Sequence, residues 1–351
     1  MSASSAGSAV HEVTSVGVNS FKALRLGAAL LLLSILLGLL GTSVGSTGFQ
    51  SVLNMAKDPL AWQIVWDIRL PRTLGAWLAG ALLGLAGAVA QGLFRNPLAD
   101  PFLLGSASGA SLGVAAAMAL FGVSPFATQW LARIGLTGAA FIGAVLAVLL
   151  TLQLARGVQH TLRLLLAGVI VGVVLGATKD MLTLSFPDIL QSLQGFTLGS
   201  ASFIGWQACV LMAAVWVLCL SAAWALSQSL DALSLGEATA ASLGLPLPQM
   251  RAALVVVLAL STGTAVAQTG LIAFVGLASP HLVRSVIKTT HGRLIALASL
   301  MGAVLLVVAD ILARWLIAPQ ELPVGVLTAV LGGSYLLWLM HRRSDSRGAV
   351  L

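Results

Sequence analysis

The residues of this chain that could carry chemistry are few, and they cluster at the edges of long apolar runs. Asp310 and Arg314 stand four apart in Ala309-Asp310-Ile311-Leu312-Ala313-Arg314, and Glu321 follows in Glu321-Leu322-Pro323-Val324-Gly325. A carboxylate at the end of a membrane helix can take up a proton and drive a carrier, whereas an arginine one turn further on can neutralise it. Arg69 and Arg72, in Arg69-Leu70-Pro71-Arg72, place two more cations ahead of another apolar run. Lys179-Asp180 ends a third run, and Asp231 and Glu237 lie in a polar loop. Gln91 and Gln268 are polar but cannot titrate.

Other chemistries find no residues to support them. None of the lysines (Lys22, Lys57, Lys179, Lys288) lies in Gly-x-x-x-x-Gly-Lys-Ser/Thr, so no phosphate-cradling loop is present. His11-Glu12 is followed by Val13-Thr14-Ser15, which breaks the zinc-protease spacing. Cys209 and Cys219 fall within one apolar run, ten residues apart, and are expected to be packing residues rather than a disulfide or metal pair. The chain is read as a non-enzyme that binds no cofactor or metal itself.

The elements that position these residues are membrane helices. Of 351 residues 58% are hydrophobic and 8% charged, against about 25% charged in an ordinary soluble domain. Crossing roughly 30 Å of hydrocarbon takes about 20 apolar residues, fewer where protein shares the depth. About ten spans are predicted: Leu24 to Leu40, Thr73 to Leu93, Pro101 to Leu120, Leu136 to Leu154, Leu164 to Ala177, Gly205 to Leu226, Met250 to Val266, Leu271 to Val283, Leu294 to Ile311 and Leu322 to Met340. The fifth and eighth are short, which a bundle interior tolerates and lipid does not. Spacings such as Gly80-Gly84 and Gly105-Gly109 among 37 glycines predict close helix packing. No cleavage site follows Leu40, so the first helix is expected to stay. The domain plan is a mobile cytoplasmic tail over 1–20, one transmembrane domain over 21–343 and a cytoplasmic tail over 344–351.

With the N-terminus inside, twelve of the 18 lysines and arginines face the cytoplasm, and Lys57, Arg69, Arg72, Arg133, Lys179 and Arg314 face outward. That bias predicts both termini cytoplasmic. The formal charge of +7 is then the excess of cytoplasmic loops, not a nucleic-acid footprint. Outward-facing Arg69, Arg72 and Arg314 could snorkel, bind lipid phosphate, or, for Arg314, pair with Asp310.

The second and seventh spans both end in Ala-Val-Ala-Gln, at Gln91 and Gln268, and each leads into a proline-bearing segment: Arg95-Asn96-Pro97-Leu98-Ala99-Asp100-Pro101 and Pro280-His281. Because the two spans run in opposite directions, the pattern predicts an inverted repeat of spans 2–5 and 7–10, an architecture common in transporters. Between spans six and seven, Leu235-Gly236-Glu237-Ala238-Thr239-Ala240-Ala241-Ser242-Leu243-Gly244 reads as a short amphipathic helix closed by glycine and Pro246. Such a helix either lies on the membrane or docks a partner whose motion it passes to the bundle.

The run from Arg69 through Gln91, Asn96, Pro97 and Gly105 to Gly113 resembles the signature stretch of the permease subunits of ABC importers for iron-siderophores, haem and vitamin B12. Further matching motifs are Leu166-Ala167-Gly168, the Leu235 to Gly244 loop, Phe274-Val275-Gly276-Leu277 with Pro280-His281-Leu282-Val283-Arg284, Asp310 with Arg314, and Glu321-Leu322-Pro323-Val324-Gly325. The resemblance covers about residues 60 to 342. It implies an inner-membrane permease acting as a homodimer with two ABC ATPase subunits, which bind the ATP and Mg. A periplasmic binding protein would deliver an iron chelate, a ferric siderophore first, with haem or cobalamin as alternatives. By the same resemblance Arg69, Arg72 and Arg314 grip carboxylates of that binding protein, and Leu235, Gly236, Glu237, Ala240, Leu243 and Gly244 form the loop that couples to the ATPase. Gln91, Asn96, Pro97, Gly105, Gln268, Pro280, Glu321, Pro323 and Gly325 are pathway or structural-motif positions. Gly332-Gly333-Ser334-Tyr335 departs from the usual Gly-Ala-Pro opening of the last span, as does Ala296 where proline is frequent. The reading from a different class is a proton-coupled carrier using Asp310 or Glu321.

Overall fold

A computed structural model describes residues 3–45, 48–49, 58–122, 130–155 and 161–348; side-chain surroundings are described at 20–45, 58–122, 135–155, 163–338 and 341. Lys57, Arg133, Arg156, Arg342, Arg343 and Arg347, used in the charge bias above, lie outside the residues whose side chains are described. The chain is helical almost throughout. Helix α1 (Ala3–Ser43) leads into a two-residue ladder of β1 (Val44–Gly45) with β2 (Gly48–Phe49). Then come α2 (Pro59–Ile64), a π turn (Val65–Arg69), α3 (Leu70–Leu93), α4 (Ser106–Phe121), α5 (Trp130–Leu154), α6 (Thr161–Ser185), α7 (Leu190–Leu198) and α8 (Trp206–Ala225). Two short helices follow, α9 (Ser227–Ser234) and α10 (Glu237–Ser242), and the chain closes with α11 (Leu247–Thr269), α12 (Val275–Val286), α13 (His291–Trp315) and α14 (Val324–Gly348).

Every predicted span overlaps one of these helices, although α12 begins four residues into the eighth span and the third opens with a 3-10 turn over Pro101–Leu104. Among the described residues seven are long and apolar enough to cross a membrane: the C-terminal part of α1, continuous α2–α3, α5, α6, α8, α11 and α13. Helices α4 and α14 contribute shorter apolar stretches, and α12 is only 12 residues long. Helical geometry begins at Ala3, so the segment expected as a tail carries helix; residues 349–351 at the other end lie outside the described residues.

The fifth span is longer than the sequence suggested. Helix α6 continues eight residues past Ala177 because its polar end satisfies itself: Thr178 and Thr183 return their hydroxyls to the carbonyls four residues back (2.8 and 2.9 Å), and Lys179 pairs with Asp180 (2.9 Å). Pro187 stops it, since the residue before a proline is driven out of the helical region.

Helix α3 is the axis of the fold. Its first turn accepts Pro71, whose missing N–H costs nothing there, and from Leu78 to Leu93 every residue is buried. It packs on α13, α12, α11 and α8. Leucine, alanine and glycine let the neighbours come close: a Cβ on Gly80 would strike the Gly302 carbonyl, and one on Gly84 the Ala298 carbonyl. Such glycines cost about 1 kcal/mol each in helix propensity, offset by backbone-to-backbone contact. Gly109 meets Gly143 in the same way where α4 crosses α5.

The packing follows the inverted repeat. The first helix of one unit, α3, lies on the second and third helices of the other, α12 and α13; reciprocally, α11 lies on α4 and α5. Both α4 and α12 are entered through a left-handed residue, Gly105 (φ 79°) and Phe274 (φ 67°).

Candidate functional site

At one end of the bundle, the start of α3, the end of α13 and the loop before α14 bring Arg72, Asp310, Arg314 and Glu321 into one cluster. Arg72 donates through Nε and Nη2 to Asp310 Oδ1 (3.1 and 3.0 Å) and through Nη1 to Glu321 (3.0 Å to Oε1). Arg314 Nη2 lies 2.8 Å from Asp310 Oδ2. Asp310 is 0% exposed, Arg314 2% and Arg72 7%, a depth at which charges must be paired. Ser202 donates to Glu321 Oε2 at 3.1 Å.

The remaining donors close the end of α1. The last carbonyls of a helix lack intrahelical partners and carry partial negative charge. Arg314 Nη1 donates to the carbonyls of Gly41 (2.7 Å) and Val44 (2.8 Å), and Arg69 Nη1 to that of Thr42 (3.3 Å). The cluster therefore ties α1, α3, α13 and the α13–α14 loop together with balanced charge.

The pair of Asp310 with Arg314 was anticipated from its spacing. The resemblance had Arg69, Arg72 and Arg314 gripping a binding protein's carboxylates; in the structure they lie inside, engaged by the chain's own carboxylates and carbonyls. Burial explains the difference, because a guanidinium near a helix end that finds carboxylates on neighbouring helices is better satisfied there than in a high-dielectric rim. Ser202 and the α1 carbonyls were missed, and no local signal marks them.

The signature positions of the two repeats act as joints. Gln91 Nε2 donates to the Leu277 carbonyl (3.1 Å), while Arg284 donates to Gln91 Oε1, so α3 is latched to α12 at two points. Asn96 Oδ1 accepts the Leu98 N–H (2.9 Å) and shapes the turn around Pro97; Asp100 caps the next short helix through the Phe102 N–H (2.8 Å). Gly105 sits against Gly168 and Gly172 of α6. Pro280 is buried inside α12, and His281 Nδ1 meets the Tyr335 hydroxyl of α14 at 2.7 Å. Pro323 stands just before α14, its carbonyl accepting the Leu327 N–H (3.3 Å), and a Cβ on Gly325 would collide with the carbonyls of Leu198 and Leu271. Gln268 instead lines a cavity between α5, α8 and α11.

The opposite end of the bundle carries the expected short helix. Helix α10 is bracketed by Gly236 (φ 119°) and Gly244 (φ 74°), both in a region that favours glycine. Ala240 is fully buried, Glu237 pairs with Arg251 at 2.6 Å, and Asp231 accepts from His291 Nδ1 (2.6 Å) and from its backbone N–H (3.0 Å). Leu235 (69% exposed) and Leu243 (62%) stand out on either side of it. Two bare leucines flanking a helix that Glu237 ties to Arg251 make an apolar knob.

A bundle of about ten helices in inverted repeat, latched at both ends and bearing this knob, defines a transporter permease. The FecCD transport family matches residues 28–342, and the chain belongs to it. It is 38% identical over 330 residues to the hemin transport system permease protein HmuU of Yersinia pestis, covering 92% of this chain and 97% of the relative. It is 42% identical over 282 residues to the vitamin B12 import system permease protein BtuC of Salmonella paratyphi A, covering 79% and 83%. Among solved structures, a metal-chelate type ABC transporter in an inward-facing conformation superposes with a TM-score of 0.80 at 29% identity, covering 91% of this chain and 99% of that one. The chain is thus a multi-pass membrane permease of the ABC importer class that carries iron chelates, haem and vitamin B12.

Proposed function

We propose that two copies of this chain form the pathway of an ATP-driven importer in a bacterial inner membrane, with two ATPase subunits on the α9–α10 face and a periplasmic binding protein on the face above Arg72. The family match over residues 28–342 carries the reading. The charge bias supports the orientation, with both termini cytoplasmic. ATP and Mg belong to the ATPase subunits. Arg69, Arg72 and Arg314 act in this reading from beneath the docking face, by fixing α1, α3 and α13 in register, and not as an open grip on the binding protein.

The cargo is a metal chelate. Haemin and vitamin B12 are the cargoes of the relatives above, which puts a metallated tetrapyrrole ahead of a ferric siderophore as the first to test. A proton-coupled carrier is less well supported, because both candidate proton sites, Asp310 and Glu321, are tied to Arg72. Uptake of labelled haemin, cobalamin and ferric siderophore should be compared in cells with and without the chain. Loss of one cargo in its absence supports the reading, and unchanged uptake of all three in a strain without another such permease opposes it.

The knob gives a second test. Leu235→Asp with Leu243→Asp places charge where an apolar contact would be buried and should lower ATPase co-purification and uptake by about tenfold or more. Both sites are exposed, so thermal stability should not change. Wild-type co-purification would remove α10 as the coupling element.

A further inference from the structure

A cavity of about 700 Å³ opens between α5, α8 and α11, a size typical of small-ligand sites. It marks a break in the symmetry of the repeat. Helices α3 and α13 close on each other through Gly80, Gly84 and Gly302, whereas the corresponding pair, α11 and α5, leaves a hollow. Two of its wall residues, Gly138 and Gly205, have no atom within 4 Å of where a Cβ would stand.

Three polar side chains of the hollow make no hydrogen bond among the described residues. On α11, Thr262 and Thr269 return their hydroxyls to the carbonyls of Leu258 (2.8 Å) and Ala265 (2.9 Å), as threonines inside helices commonly do. Thr264 lies between them and is 2% exposed, yet among the described residues its hydroxyl makes no hydrogen bond, and neither does the Thr137 hydroxyl or the Gln268 amide. Thr137 and Gln268 are only half-buried, and with Thr264 they line the hollow, where a ligand's acceptors can reach them. Among the described residues no charged side chain lines the space, and the lining is mainly apolar.

The lining is graded along its length. Trp206, Gln207 and Gln268 stand at helix ends on the side of the charge cluster, Thr137 lies two turns into α5, and Leu211 and Val215 lie one to two turns deeper on α8. Trp206 donates to the Trp66 carbonyl (3.0 Å) and packs on its ring, an arrangement suited to the membrane–water interface. The mouth therefore sits at the depth of lipid ester groups and the interior at that of acyl chains. We propose that the cavity is a phospholipid site: an acyl chain runs along Leu211 and Val215, and ester carbonyls accept hydrogen bonds from Thr264, Thr137 and Gln268. The inference depends on membrane embedding alone and is independent of cargo and partners.

The test is native mass spectrometry of the purified permease released from nanodiscs of palmitoyl-oleoyl phosphatidylethanolamine. Wild type should retain one phospholipid per copy. Gly138→Trp fills the hollow and should lower retention by about tenfold, and Thr264→Val, of nearly equal volume, by about fivefold, the worth of one hydrogen bond. Val210→Trp, at an exposed α8 position outside the cavity, should leave retention unchanged. Retention that is absent in wild type, equal in wild type and both cavity variants, or due to a metal chelate instead of a lipid overturns the proposal.

Discussion

Asp310→Ala should remove most of the folded permease from the membrane. The substitution leaves the guanidiniums of Arg72 and Arg314 buried without their shared carboxylate, and breaking a buried ion pair from one side costs about 3–5 kcal/mol. Against a total stability of roughly 5–15 kcal/mol, that loss should abolish a cooperative melt or lower its midpoint by well over ten degrees. Glu321→Gln is the internal comparison. Glu321 is 28% exposed at its side chain, so its bond to Arg72 is partly screened and its loss should cost about 1 kcal/mol or less. Thermal unfolding in detergent, followed by size-exclusion chromatography, reads both. Equal midpoints for Asp310→Ala and wild type would mean that the cluster does not hold the four elements together.

Gly84→Leu should be as damaging for a different reason. The new side chain would enter the Ala298 carbonyl on α13 at the centre of the bundle, where neither backbone can retreat without opening the α3–α13 contact. Overpacking a close-packed interior typically costs about 1–3 kcal/mol, and a backbone collision on the fold's central helix belongs at the top of that range. Loss of the monodisperse peak and of transport is expected. Gly176→Ala on α6 is the control: nothing lies within 4 Å of its Cβ position, so the change should be neutral or stabilise by about 0.5–1 kcal/mol. Similar behaviour of the two variants would contradict the packing described for α3.

Much of this fold was legible because the membrane imposes simple rules. Ten apolar runs became ten helices, and the Ala-Val-Ala-Gln endings at Gln91 and Gln268 marked the equivalent ends of α3 and α11. The glycines at 80, 84 and 109 announced close contacts that the structure makes. The length of α6 was not legible: Lys179-Asp180 looked like a terminus, and only the side-chain bonds of Thr178 and Thr183 show why the helix tolerates it. The charge cluster was legible by half. Spacing gave Asp310 and Arg314, because one helical turn is a local relation. The convergence of Arg72, Glu321, Ser202 and the α1 carbonyls joins residues hundreds apart in sequence, and a helix-end arginine reads the same whether it faces lipid headgroups or a buried carboxylate. Gln91 and Gln268, alike in sequence, part ways in the structure: one latches α3 to α12, while the other faces a hollow.

The most direct test of the importer assignment is uptake by proteoliposomes holding this permease with its ATPase and binding protein. The account predicts that one metal chelate among haemin, cobalamin and ferric siderophore accumulates only with ATP, and that Leu235→Asp with Leu243→Asp abolishes it. Accumulation driven by a proton gradient, without ATP or the ATPase, would contradict it.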